Sequence, residues 1–227
     1  MDRGTYLRRW SELHGGADAS SALVRGWLSA VHALATPLAR LRVPPDVVTA
    51  LGLLVAASAP VLAAAGGAGV VAASAVVALS ALVDSLDGAV AVLTGRVTRW
   101  GAVLDGVADR ISDAAFVGVL WVLGGPAGVC AAAVALSWLQ EYARARAGAA
   151  GMSEMGVLTI DERPTRVAVV AMFALAAATR PDGPWPTVGA WLLVGLGLVG
   201  LVQLLVVVRR TLADDPAGLR PGDGHGR

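Results

Sequence analysis

Four aspartates interrupt a sequence that is otherwise apolar around them. Asp84 and Asp87 lie near the end of one hydrophobic stretch, and Asp105 and Asp109 near the start of the next. Spacings of three and four residues put each pair on one helical face, a turn apart. A carboxylate at the centre of a membrane helix costs about 2.5–3.5 kcal/mol on insertion scales, so four uncompensated ones cost on the order of 10 kcal/mol. A cation must offset that cost, and a divalent metal ion bound by hard carboxylate oxygens is the direct candidate. Two other readings stand beside it: a proton or cation pathway, and a structural role in which each aspartate caps a helix or pairs with Arg96, Arg99 or Arg110. The glycines Gly88 and Gly101 favour the first reading, because they clear the backbone for a ligand's close approach.

The elements that carry these residues are membrane helices by composition. Of 227 residues, 56% are hydrophobic and 15% charged, and the mean hydropathy is +0.67. A soluble domain of this length needs more polar surface. Six apolar spans are predicted, at about 47–65, 70–93, 101–123, 127–147, 167–179 and 187–208. The fifth is short for a crossing of about 20 residues. Asp46 is the predicted N-cap of the first, Gly124, Gly125 and Pro126 close the third, and Arg209-Arg210 stop the sixth. Residues 1–20 read as a polar lead-in. After it, Trp27, Leu28, Val31, Leu34, Ala35 and Leu38 form one apolar face of an amphipathic surface helix, which Pro37 bends or ends. The chain thus divides into 1–43, the lead-in and interfacial helix; 44–210, a six-helix transmembrane domain; and 211–227, a disordered tail.

Arginines set the orientation. They flank the surface helix, the 2–3 loop (Arg96, Arg99), the 4–5 loop (Arg144, Arg146, Arg163, Arg166) and the C-terminus, whereas the opposite loops hold only Arg180. The positive-inside rule then places both termini in the cytoplasm, as an even number of spans requires. At about 1.5 Å of rise per residue, Asp105 and Asp109 lie roughly 6 and 12 Å inward from Gly101, and Asp84 and Asp87 roughly 14 and 9 Å from the end of span two. All four can meet in one layer of the cytoplasmic half.

Other residues support plainer readings. Cys130, the single cysteine, is a small apolar filler that excludes an intrachain disulfide. His32 is a surface residue of its helix, and Trp100 and Trp185 are interface anchors. All eighteen basic residues are arginine, and a net charge of +1 gives no sign of a nucleic-acid partner.

The spacing also carries a resemblance. Asp84-x2-Asp87-Gly88-x2-Ala91, followed by Gly101-x3-Asp105-x3-Asp109, resembles the signature of the CDP-alcohol phosphotransferase (CDP-alcohol phosphatidyltransferase) family. Pro45-Asp46-Val47-Val48-Thr49 is similar to that family's P-D/N-x-x-T motif. TPLAR at 36–40, WGAVLD at 100–105, DRISD at 109–113, YARARA at 142–147 and ERPTR at 162–166 resemble its actinobacterial phosphatidylinositol-phosphate synthase branch. The resemblance implies an all-α integral membrane homodimer in a bacterial plasma membrane, with six transmembrane helices, a preceding cytoplasmic surface helix and a cytoplasmic active site. It implies transfer of a phosphatidyl group from CDP-diacylglycerol to a small alcohol, with release of CMP. Asp84, Asp87, Asp105 and Asp109 would hold two Mg2+ or Mn2+ ions, with Asp109 also the general base. Asp46, Val47, Val48, Thr49, Gly88, Ala91 and Thr98 would bind the donor.

The acceptor is read from charge. Arg144, Arg146, Arg163 and Arg166 form a candidate basic pocket, which suits a phosphorylated polyol such as inositol phosphate and repels choline or ethanolamine. Arg144 and Arg146, two apart, diverge on a regular helix, so at most one faces the site. Gln140 and Tyr142 are within reach of a sugar, with helix contact and interface anchoring as their plainer roles. Two positions depart from the family pattern: Val92 stands where the signature has an arginine, and Leu204 where the inositol-phosphate branch has one beside its glutamine. Val92 leaves open a non-catalytic or altered-donor relative that binds metal and CDP-lipid. An ion or proton transporter is the remaining alternative, without the inverted halves or broken helices such folds show.

Overall fold

Every regular element among the described residues is a helix. The computed structural model describes residues 2–13, 22–152 and 159–213. The helices are α1 (Arg3–Leu13), α2 (Ala22–Arg40), α3 (Pro45–Ala64), α4 (Ala68–Thr94), α5 (Arg99–Val122), α6 (Ala127–Ala149), α7 (Arg163–Thr179) and α8 (Trp185–Ala213).

Within the lead-in, Arg3–Leu13 is helical. Asp2 accepts hydrogen bonds from the Thr5 backbone N–H at 2.9 Å and hydroxyl at 3.0 Å, which start α1. These bonds also hold the Asp2 carboxyl below its usual range. Tyr6 is buried on the inner side of α1, its ring centroid 5.2 Å from that of His32. The expected bend at Pro37 does not end α2, which runs on to Arg40 at the loss of one backbone hydrogen bond. Leu28, Val31 and Ala35 are buried against the ends of α3 and α4, while Trp27 and Leu34 stay exposed on the same helix. Gly15, Gly16, Ser20 and Ser21 lie outside the described residues.

Three further boundaries differ from expectation. Pro44 is the N-cap residue of α3 and Asp46 lies inside its first turn, where no side-chain cap bond forms. The Asp46 charge still complements the positive end of the helix. The helix α7 starts at Arg163 instead of about 167, since Pro164 is tolerated in a first turn. Arg209 and Arg210 do not stop α8, because arginine is a good helix former and suits a C-terminus. Residues 211–213 of the predicted tail are therefore helical, and the rest of it lies outside the described residues.

Among the described helices, α3, α4 and α8 are long and apolar enough to cross a membrane. Their outward side chains, among them Leu54, Val61 and Val202, are mostly exposed, which only lipid makes favourable over so large a surface. This is a membrane protein. The helix α7 has 17 residues, short of a full span, and α5 and α6 each carry several charged residues. Inside, small side chains let the helices approach: Ala56, Ala59, Ala73, Ala174 and Ala190 surround Val77, Phe116 and Leu120. A Cβ on Gly200 would lie 2.9 Å from both Asp161 Cβ and Gln140 Oε1, so α8 needs glycine there.

Candidate active site

The turn between α4 and α5 brings the aspartates together. Gly95 ends α4 in the left-handed region, with φ 68° and its N–H on the carbonyls of Ala91 and Val92. Three residues later Thr98 caps α5, its Oγ1 accepting from the Gly101 N–H at 2.9 Å. The chain reverses within this short segment, so the start of α5 runs back beside the end of α4.

Carboxylate oxygens of Asp84, Asp105 and Asp109 lie within 4.8 Å of one another, and all three residues are half-buried. Asp87 stands beside this group and outside it. One of its oxygens accepts from Thr49 Oγ1 and the other from the Gly88 N–H, each at 2.6 Å. Three hard oxygen donors converging from two helices fit a divalent cation. Asp109 Oδ1 is buried and faces the Arg163 guanidinium.

Arg163, the first residue of α7, lies over this cluster. Its Nη1 pairs with Asp84 and with Asp109 Oδ1, the latter at 2.5 Å, and its Nε lies 3.6 Å from Asp113. Arg110 is 3.9 Å from Asp109, 3.3 Å from Asp113 and 3.6 Å from Glu141. A 660 Å³ chamber opens against Asp84, Asp87 and Asp105, and the expected donor residues Asp46, Thr49, Gly88, Ala91 and Thr98 line it. Val48 is buried and lines a smaller cavity beside Asp109 and Arg163, whereas Val47 is exposed and lines neither.

The four candidate acceptor arginines do not converge. Only Arg163 reaches the aspartates. Arg166 is drawn into the core, pairing with Asp113 at 3.0 Å and Asp161 at 3.6 Å. Arg144 binds Glu162 at 2.5 Å, and Arg146 is exposed one turn from the helix end. Tyr142 is exposed too, while Gln140 is buried and donates to Asp161 at 2.7 Å.

Asp113 and Asp161 are the charged groups that sequence reasoning passed over. Asp113, 4% exposed, takes Arg166, Arg110 and the Ser137 hydroxyl. It continues the four-residue rhythm of Asp105 and Asp109, a signal that was present in the sequence. Asp161 meets Gln140 of α6, Arg166 of α7 and the packed glycines of α8, partners that local spacing gives no hint of. Burial pushes its carboxyl up, against the opposing pull of Arg166 and Gln140.

In a helical membrane protein, carboxylates converging from two helices beside a chamber form a candidate metal centre. The model of the CDP-alcohol phosphatidyltransferase family matches residues 42–208, and the chain belongs to that family. It is a phosphatidyl-transferring enzyme of phospholipid synthesis. It is 39% identical over 190 residues to the phosphatidylinositol phosphate synthase of Mycobacterium tuberculosis (strain H37Rv), covering 77% of this chain and 85% of that one. It is 30% identical over 199 residues to the archaetidylinositol phosphate synthase of Methanothermobacter thermautotrophicus, covering 86% and 98%. The crystal structure of the Mycobacterium tuberculosis synthase with CDP-DAG bound matches with a TM-score of 0.69 and 32% identity, over 84% of this chain and 97% of that one. The same synthase in complex with manganese and citrate matches with a TM-score of 0.68. Divalent metal use follows from the family and the aspartate cluster together.

Proposed function

We propose that this chain moves a phosphatidyl group from CDP-diacylglycerol to a hydroxyl of a small phosphorylated polyol such as inositol phosphate, releasing CMP. The observation that carries the proposal is the meeting of Asp84, Asp105 and Asp109, with Asp84 and Asp105 on the wall of the 660 Å³ chamber. Asp84, Asp87, Asp105 and Asp109 would hold two Mg2+ or Mn2+ ions, which neutralise charge on the diphosphate and the departing CMP. The donor's cytidine and diphosphate lie along Asp46, Thr49, Gly88, Ala91 and Thr98, with Val48 backing the wall. Asp109 accepts the proton of the incoming hydroxyl. Arg163 holds the Asp109 carboxylate in place and presents positive charge to the acceptor's phosphate. Arg144, at the mouth of the same helices, supplies the second cation, and Arg146 and Arg166 take no direct part. Leu204, where the resembled branch has an arginine, is buried, and the acceptor phosphate rests on α6 and α7.

The working enzyme on this reading has six membrane crossings, α3 to α8, in a bacterial plasma membrane, with both termini cytoplasmic. Residues 1–43 form the surface segment, 44–210 the catalytic domain and 211–227 a tail, and two copies form the homodimer. The proposal is tested by CMP release from CDP-diacylglycerol with magnesium, across inositol phosphate, glycerol phosphate, inositol, serine and choline. Release with phosphorylated polyols is expected. Equal release with free inositol would remove the acceptor half, and no release despite donor binding would remove the whole.

Val92 favours a second reading of the donor. It is 6% exposed, packed with Val90 and the α1–α2 cluster, yet it also lines the chamber. Arg96 is the arginine that lines that chamber. A donor with a different diphosphate-linked alcohol fits this wall if V92R raises turnover of CDP-diacylglycerol while an alternative CDP-alcohol serves the unaltered chain better.

A further inference from the structure

Away from the aspartates, one corner of the molecule gathers positive charge that no carboxylate among the described residues neutralises. Arg40 closes α2, Arg42 lies in the α2–α3 turn and Arg96 follows α4. Together with Thr36, Ala39 and Thr94 they line a concavity of 390 Å³. Arg110, Arg144, Arg163 and Arg166 are all ion-paired. Arg40, Arg42 and Arg96 have no carboxylate within 4.0 Å among the described residues. The carboxyl ends of α2 and α4 present only about half a unit of negative charge each, which leaves an excess of about two positive charges.

Arg42 also holds its place against the backbone's preference. The Val43 N–H donates to the Leu38 carbonyl at 3.0 Å and the Arg42 N–H to that of Ala39 at 3.1 Å. This is the helix ending in which glycine normally fills the left-handed position. Arg42 fills it with φ 57°, the one non-glycine positive φ among the described residues. An L-residue is strained in that conformation, so the fold alone would be better served by glycine. What arginine adds at that position is its guanidinium.

We propose that the Arg40–Arg42–Arg96 concavity is a binding subsite for a phosphate group, distinct from the aspartate chamber and independent of the reaction assigned to it. Guanidinium forks match phosphate oxygens with paired charge-assisted hydrogen bonds. The Thr36 and Thr94 hydroxyls already donate to their own helices, to His32 O at 2.6 Å and Val90 O at 2.7 Å, so the arginines are the donors of the subsite. Arg96 lines both this concavity and the chamber, which makes the two neighbours with a shared wall. Two sources offer such a phosphate: a soluble phosphate, and the headgroup of an anionic phospholipid.

The test uses the full chain in neutral detergent, with thermal unfolding followed against inorganic phosphate at constant ionic strength and against dioctanoyl phosphatidylglycerol. A saturable rise in midpoint is expected for the unaltered chain. In R42G and R40Q the half-saturating concentration should rise about tenfold, the loss of one strong contact. R42G should unfold, without ligand, at or above the unaltered chain's temperature, because glycine relieves the turn; R40Q gives the same binding test without touching that turn. Half-saturation by the lipid at a concentration at least tenfold below that of phosphate assigns the subsite to a headgroup, and equal or weaker action by the lipid assigns it to soluble phosphate. No saturable rise with either probe, or equal binding in both variants, overturns the proposal.

Discussion

Arg163 Nη1 lies 2.5 Å from Asp109 Oδ1 while the same nitrogen pairs with Asp84, so the first residue of α7 ties α4 to α5. Arg163 is mostly buried, with 16% of its side chain exposed. Removing one partner of a buried ion pair leaves a bare charge and costs about 3–5 kcal/mol. R163Q should therefore lower the unfolding midpoint in EDTA, and magnesium or manganese should recover more of that loss than it adds to the unaltered chain. A loss that metal does not reduce would separate Arg163 from the cluster.

Asp109 is the carboxylate nearest two arginines and the metal group at once. D109N keeps the size of the side chain and removes its basicity. CMP release should fall by about 10²–10⁴-fold, while Asp84 still pairs with Arg163. Near-normal turnover would take Asp109 out of the proton transfer.

Glu162 gives the acid limb of stability. Burial alone would raise its carboxyl, but hydrogen bonds from Arg144 and from the Thr159 N–H and hydroxyl outweigh burial and hold it below the usual 4.5. A group depressed in the folded state contributes stability that is present above its unfolded pKa and is lost as pH falls through the folded one. The unfolding midpoint should therefore drop as pH is lowered below about 4.5, and E162Q should flatten that part of the profile. An unchanged profile in E162Q would place the acid sensitivity elsewhere.

Gly200 is the point where α8 presses on Gln140 and Asp161. G200A drives a methyl into the Asp161 Cβ and disturbs the Gln140–Asp161 hydrogen bond, which should cost about 1–3 kcal/mol, read as a lower unfolding midpoint. G195A, where a Cβ meets nothing within 4 Å, should be neutral.

The aspartate site could be anticipated in sequence because its geometry is local. Asp84, Asp105 and Asp109 reach a common point through helix periodicity and one tight turn at Gly95 and Thr98. Asp87 follows the same periodicity, and its carboxylate meets Thr49 on α3, a partner outside the local spacing. The basic pocket was less legible. Arg144, Arg146, Arg163 and Arg166 are alike in charge and neighbourhood, and which partner each finds depends on carboxylates in other helices.

What the chain alone determined was the set of apolar helices, the level at which acidic groups could meet, and the family to which that spacing belongs. Hydrophobic periodicity and fixed rise per residue require no knowledge of neighbours. Only the packed structure decided that Arg163 closes the aspartate cluster, that Asp113 and Asp161 bury Arg166, and that Arg40, Arg42 and Arg96 line one concavity. Those outcomes depend on long-range approach of helices, where the desolvation of each charge is settled by whichever partner the fold brings within reach.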